Sequence, residues 1–106
     1  MPWTVRLYHL SDGKHPWPSF DPVPDEGPIF VAFSDLPDFD DLAYPICRLI
    51  DPYGHTLLSE YQIQHAVLPE LERFFATRPS PGLAALIDLA RGMGSDGHRY
   101  LVFDGD

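Results

Sequence analysis

Seven of the chain's twelve prolines (Pro16, Pro18, Pro22, Pro24, Pro28, Pro37 and Pro45) fall between His15 and Cys47. Proline fixes φ and lacks the N–H that helices and sheet ladders use. This stretch can therefore supply loop and at most a short strand, and the regular elements must come from the rest of the 106 residues. The same stretch holds Asp21, Asp25, Glu26, Asp35, Asp38, Asp40 and Asp41 and neither lysine nor arginine. It thus carries -7 of a formal net charge of -9, and the remaining residues set nine acids against seven bases. A charge block of one sign repels nucleic acid and anionic lipid and attracts basic surfaces.

At 44% hydrophobic and 13% aromatic, the chain has enough apolar side chains to bury a core. We read one domain, residues 1–106, with an acidic proline-rich loop segment at 15–45 and a hairpin–helix–helix–strand scaffold at 46–106. Trp3, Val5 and Leu7 alternate with Thr4, Arg6 and Tyr8, which reads as a strand. Pro28 to Phe33 is a short β-prone run. Ser34 or Asp35 is available as a helix N-cap. Ile46-Cys47-Arg48-Leu49-Ile50 reads as a strand, Asp51-Pro52-Tyr53-Gly54 as a turn, and Thr56-Leu57-Leu58 as the returning strand of a hairpin. Ser59 with Gln62 fits a capping box for a helix whose apolar side is Ile63, Val67, Leu71, Phe74 and Phe75. Pro69 predicts a kink or restart. Ser80-Pro81 opens a second helix that buries Leu83, Leu86, Ile87 and Ala90 and ends at Gly92 and Gly94. Tyr100 to Phe103 is the last strand. The order predicts an α+β domain: a small, mainly antiparallel sheet with two helices packed on one face and a long proline-rich acidic loop.

Leu49-Ile50-Asp51-Pro52-Tyr53-Gly54-His55-Thr56, the Glu70-Leu71-Glu72 helix and the ending Tyr100-Leu101-Val102-Phe103-Asp104-Gly105-Asp106 form three separated motifs. Together they resemble a group of small, uncharacterised bacterial proteins with a DPYG-x-T hairpin, an ELE helix and a C-terminal YL-x-F-x-GD. The resemblance covers residues 45 to 106 and leaves the acidic segment outside it. It implies no enzymatic activity and carries over no functional residue.

Catalytic and cofactor motifs are missing. There is no GxSxG, Walker or GxGxxG sequence. Gly92-Met93-Gly94 follows a helix and reads as a cap and turn. The five histidines are scattered singly, without HxH or HxxxH spacing, so no zinc site is expected. Counted from Asp35 as a calcium loop, position six is Asp40 and position twelve is Ile46, where a Gly and a Glu are required. Asp51 and His55 invite a catalytic reading, but turn chemistry explains both. The single Cys47 excludes an internal disulfide and reads as a small buried side chain. Neither a secretory leader nor a membrane-length apolar run is visible, so a cytoplasmic protein is expected.

What remains is Phe39 set among carboxylates, an apolar anchor combined with electrostatic steering. The expected contact site comprises Asp25, Glu26, Asp35, Asp38, Phe39, Asp40 and Asp41. The function expected from these features is non-catalytic: an acidic inhibitor of the immunity or antitoxin type that blocks a basic cleft on a partner protein, such as a toxin. A structural or adaptor subunit of a larger bacterial assembly is the alternative. No cofactor, metal, nucleic acid or membrane enters either reading.

Overall fold

The computed structural model describes residues 3–11, 19–23, 27–94 and 98–105. Its sheet is built on the longest strand, β1 (Trp3–Ser11). β2 (Ser19–Pro22) pairs with the second half of β1 and β3 (Ile29–Val31) with its first half, along the same edge. β5 (Arg99–Asp104) pairs with the other edge of β1, and β4 (His55–Ser59) lies outside β5. The order is β2-β1-β5-β4, with β3 beside β1, and every pairing is antiparallel.

The alternation in β1 sets which side is covered. Trp3, Val5 and Leu7 point to the core, as do their neighbours Val31, Leu101 and Phe103. Against them pack Ile63, Val67, Leu71 and Phe74 from one helical rod and Leu83, Leu86, Ile87 and Ala90 from the other. The fold is therefore α+β, a small antiparallel sheet with two helices on one face.

The first rod starts at α1 (Glu60–Gln62), runs through a π-helical turn at Ile63–Val67 and continues as α2 (Leu68–Thr77). Its start is the expected capping box: Gln62 N–H donates to Ser59 Oγ at 3.2 Å, and Ser59 N–H donates to Gln62 Oε1 at 2.8 Å. The interruption expected near Leu68-Pro69 takes the form of a π turn, after which α2 starts with Pro69 in its first turn. The Leu68 N–H reaches back five residues to the Ile63 carbonyl. The wider turn accommodates the proline ring that would clash in a regular helix. The second rod, α3 (Pro81–Arg91), starts where Ser80 Oγ accepts the Leu83 N–H at 3.2 Å, with Pro81 at the first helical position.

Two expectations are corrected. Residues 46–50 are not a strand: Cys47–Leu49 forms one 3-10 turn, and β4 pairs with β5, so no 46–58 hairpin exists. Nor is the proline-rich segment loop throughout. Besides β3 and a single helical turn, both expected, it contributes β2; the turn is 3-10 at Phe33–Asp35, capped from Ala32 and not from Ser34 or Asp35. No helix among the described residues is long and apolar enough to cross a membrane.

Candidate functional site

The segment from Phe33 to Tyr53 carries the site, and it begins with a structural aspartate. Asp35 Oδ2 accepts the Ala32 N–H at 2.8 Å and closes the 3-10 turn. It is thus no N-cap, and its carboxylate is already engaged. A β-carbon built on Gly82 would collide with that carboxylate, so Asp35 lies over the first turn of α3. An anion is favoured at that position by the helix dipole. Leu36 and Pro37 are buried and tie the chain to the core.

Beyond Pro37 the chain turns outward. Asp38 and Asp40 are exposed, and neither carboxylate has a partner among the described residues. Phe39 between them is 74% exposed and Leu42 is 77% exposed. Asp41 differs, since its Oδ1 accepts the Ala43 N–H at 3.0 Å in a local turn. Two arginines hold this loop, both through main-chain carbonyls. Arg48 Nη1 donates to the Phe39 carbonyl at 3.3 Å, and Arg73 Nη2 donates to the Ala43 carbonyl at 2.8 Å. The Arg73 guanidinium also lies 4.9 Å from the centre of the Tyr44 ring, which stands edge-on to Phe74. Ion pairs form elsewhere, among them His55–Asp104 and Arg91–Glu72. Asp38 and Asp40 thus stand beside apolar side chains, with Arg48 in the wall of the same concavity as Asp38.

The next segment is anchored from below. Glu70 is buried in α2, and its Oε1 accepts the N–H groups of Ile46 at 3.1 Å and Cys47 at 2.9 Å. Burial, with the Glu70 carboxylate beside it, pushes the Cys47 thiol well above its ordinary range, so the sulfur is an inert packing atom. At the following turn Asp51 Oδ1 accepts the Tyr53 N–H at 2.8 Å, and the Asp51 N–H donates to Thr56 Oγ1 at 2.9 Å. Trp3 Nε1 donates to the Asp51 carbonyl at 2.9 Å. The Gly105 N–H donates to the Gly54 carbonyl at 2.7 Å. Asp51 and His55 form no dyad, because His55 Nδ1 instead faces Asp104 Oδ1 at 3.2 Å across the strands.

These two segments enclose a concavity of about 270 Å³ whose walls include Phe33, Asp38, Phe39, Arg48, Pro52 and Tyr53, with Trp3 and Ile50 deeper in. On the other side of the 46–50 turn lies an apolar groove of about 260 Å³ between Ile46, Leu49, Thr56, Leu58, Gln62 and Ala66. Ile50 borders both. Six of the nine large apolar side chains exposed among the described residues are Phe33, Phe39, Leu42, Ile46, Leu49 and Tyr53. No group of three or more His, Cys, Asp or Glu side chains that could hold a metal is present among the described residues.

Of the residues expected to form the contact site, Asp38, Phe39 and Asp40 stand together at the surface. Asp35 and Asp41 serve the local backbone, and Asp25 and Glu26 lie outside the described residues. Leu42, Ile46, Leu49 and Tyr53 were missed. Leu42 and Tyr53 lie outside any expected helix or strand, whereas Ile46 and Leu49 were hidden by the strand expected at 46–50. Compared with known protein families, curated proteins and solved structures, the chain matches none.

Proposed function

We propose that the protein is a non-catalytic binder of the immunity or antitoxin type, which presents residues 33–53 to a basic partner protein such as a toxin. The observation that carries this reading is the concentration of exposed apolar side chains on 33–53, interleaved with the unpaired carboxylates of Asp38 and Asp40. Large apolar groups left in water beside exposed carboxylates are costly for a monomer and suit a contact surface. The carboxylates steer a basic cleft toward the loop and occupy positions that would otherwise receive phosphates. Burial of Phe39, Leu42 and Tyr53 then slows release.

The test is the double substitution Asp38→Asn and Asp40→Asn, with Asp41 retained because its carboxylate supports the loop. Immobilised wild-type chain should retain a basic protein from host extract at low salt. With that purified partner, the double variant should associate about tenfold more slowly at low salt and converge with wild type at high salt. Phe39→Ala should instead raise the dissociation rate. Binding that ignores both salt and these substitutions would sink the inhibitor reading and favour the adaptor.

A further inference from the structure

Two opposite charges, Asp38 and Arg48, line the concavity between residues 33–39 and 46–53, and each lacks a counter-ion. The Asp38 carboxylate has no hydrogen-bond or ion-pair partner among the described residues. Arg48 has no ion-pair partner among them either. Its Nη1 reaches the Phe39 carbonyl at 3.3 Å, long for an N–H···O bond, and its Nε is buried with no acceptor. Buried donors are nearly always satisfied, so this guanidinium has hydrogen-bonding capacity that the fold does not use. The Phe39 contact also ties it to the residue next to Asp38. Both charges therefore border one small space without pairing with each other.

The rest of the wall is apolar and largely aromatic. Phe33, Phe39 and Tyr53 stand on its exposed side, and Trp3 lies beneath, its ring edge-on to Phe33 with centroids 5.1 Å apart. At about 270 Å³ the space is smaller than most ligand pockets, which run from about 300 to 1,000 Å³. It suits a molecule the size of one amino acid and is too small to enclose a nucleotide. Charge narrows the class further. A pure cation meets Arg48 and a pure anion meets Asp38. An uncharged molecule desolvates both and pairs neither. A zwitterion gives each its counter-charge.

We infer that the concavity binds a free α-amino acid with an aromatic side chain. The ligand's carboxylate pairs with the Arg48 guanidinium, whose planar fork matches it. Its ammonium group pairs with Asp38. Its ring lies against Phe33, Phe39 and Tyr53, where aromatic contact adds to the burial of apolar surface. This small-molecule site goes beyond the contact-surface reading and does not depend on it.

The experiment titrates the full chain with L-phenylalanine by calorimetry, beside two analogues that each lack one charge. Phenethylamine has no carboxylate, and hydrocinnamate has no ammonium group. Wild type should bind L-phenylalanine saturably and each analogue about tenfold or more weakly. Asp38→Asn, which leaves every described backbone tether in place, should remove the repulsion of an anion. Hydrocinnamate should then bind at least as well as L-phenylalanine. Arg48→Gln should bring the converse crossover, with phenethylamine binding at least as well as L-phenylalanine. A variant that is merely distorted loses all three ligands and shows no crossover. The inference stands if wild type prefers L-phenylalanine to both analogues and at least one variant shows its crossover. It is overturned if either analogue matches L-phenylalanine on wild type, if L-phenylalanine does not saturate, or if neither variant crosses over. No protein partner enters these titrations, so their failure leaves the contact surface standing, and a failed capture of a basic protein leaves the amino-acid site standing.

Discussion

Residues 36–45 and residues 46–56 follow one another, and neither holds more than one turn of regular structure before β4 begins, yet they are fastened by different chemistry. The first segment hangs by carbonyl oxygens from Arg48 and Arg73 near the surface. The second rests on the buried carboxylate of Glu70, on Trp3 Nε1 and on the close approach of Gly105 to the Asp51-Pro52 backbone. A hydrogen bond in the interior costs more to lose than one in water, because the orphaned group is left desolvated. The second segment is therefore the stiff base of the candidate surface, and the first is its lightly tied tip. The exposed carboxylates Asp38 and Asp40 lie on the tip, where small local rearrangements are cheap. Each substitution below breaks one tether and asks whether base and tip respond as unlike parts.

Glu70→Ala should have the largest effect. It strands two backbone N–H groups, one of them buried, beneath the 46–49 turn. The recovered desolvation cost of the carboxylate offsets part of the loss, leaving a destabilisation of about 3 kcal/mol. Glu70→Gln retains an acceptor oxygen and should cost about half as much. Chemical denaturation of the three chains measures this. If Ala and Gln cost the same small amount, the carboxylate is not what anchors the turn.

Gly105→Ala comes next. A β-carbon there would lie 2.5 Å from the Pro52 carbonyl group, against backbone that cannot rotate away. The turn or the end of β5 must shift, at about 2 kcal/mol. Gly27→Ala is the control, since a β-carbon there meets nothing within 4 Å. Equal melting temperatures for the two variants would mean that the C-terminal glycine does not brace the base.

The base also shows where the sequence was readable and where it was not. The strand β1, the apolar faces of both rods, the Ser59–Gln62 box, the Ser80 cap and β5 follow from periodicity and capping, because local chemistry and tertiary packing agree there. At 46–50 they disagree. Ile-Cys-Arg-Leu-Ile has strand composition, but the buried residues are Cys47 and Ile50, three apart, while Ile46 and Leu49 face solvent. What decides the turn is Glu70, more than twenty residues away, whose carboxylate takes the N–H groups that a ladder would have used. A carboxylate in an amphipathic helix reads as surface, although the spacing from Ile63 and Val67 to Phe74 puts Glu70, unlike Glu72, on the apolar face. β2 was illegible for a related reason: four residues ending in proline show no pattern of their own and are held by the length of β1. The candidate surface was half legible. Charge located Asp38, Phe39 and Asp40, whereas Leu42 and Tyr53 were masked by the assumption that apolar side chains serve the core.

Arg73→Ala should have the smallest effect, and it tests the tip directly. It removes one hydrogen bond to the Ala43 carbonyl and the stacking of the guanidinium on Tyr44, both near the surface. The summed loss is about 1 kcal/mol at most. Because the base does not depend on this contact, global unfolding by denaturant should barely move. Local opening should change instead. Amide exchange at Asp41 and Tyr44, whose N–H groups donate to the Asp38 and Asp41 carbonyls, should quicken about fivefold, while the Ile46 and Cys47 amides held by Glu70 keep their protection. A loosened tip samples more conformations in which Phe39 points away from a partner, so binding should weaken through a slower association rate with little change in its salt dependence. That signature separates the tether from the charges: Asp38→Asn with Asp40→Asn flattens the salt dependence, and Arg73→Ala leaves its slope intact. If Arg73→Ala loosens Ile46 and Cys47 as much as Asp41 and Tyr44, the two segments open together and the division into base and tip is wrong.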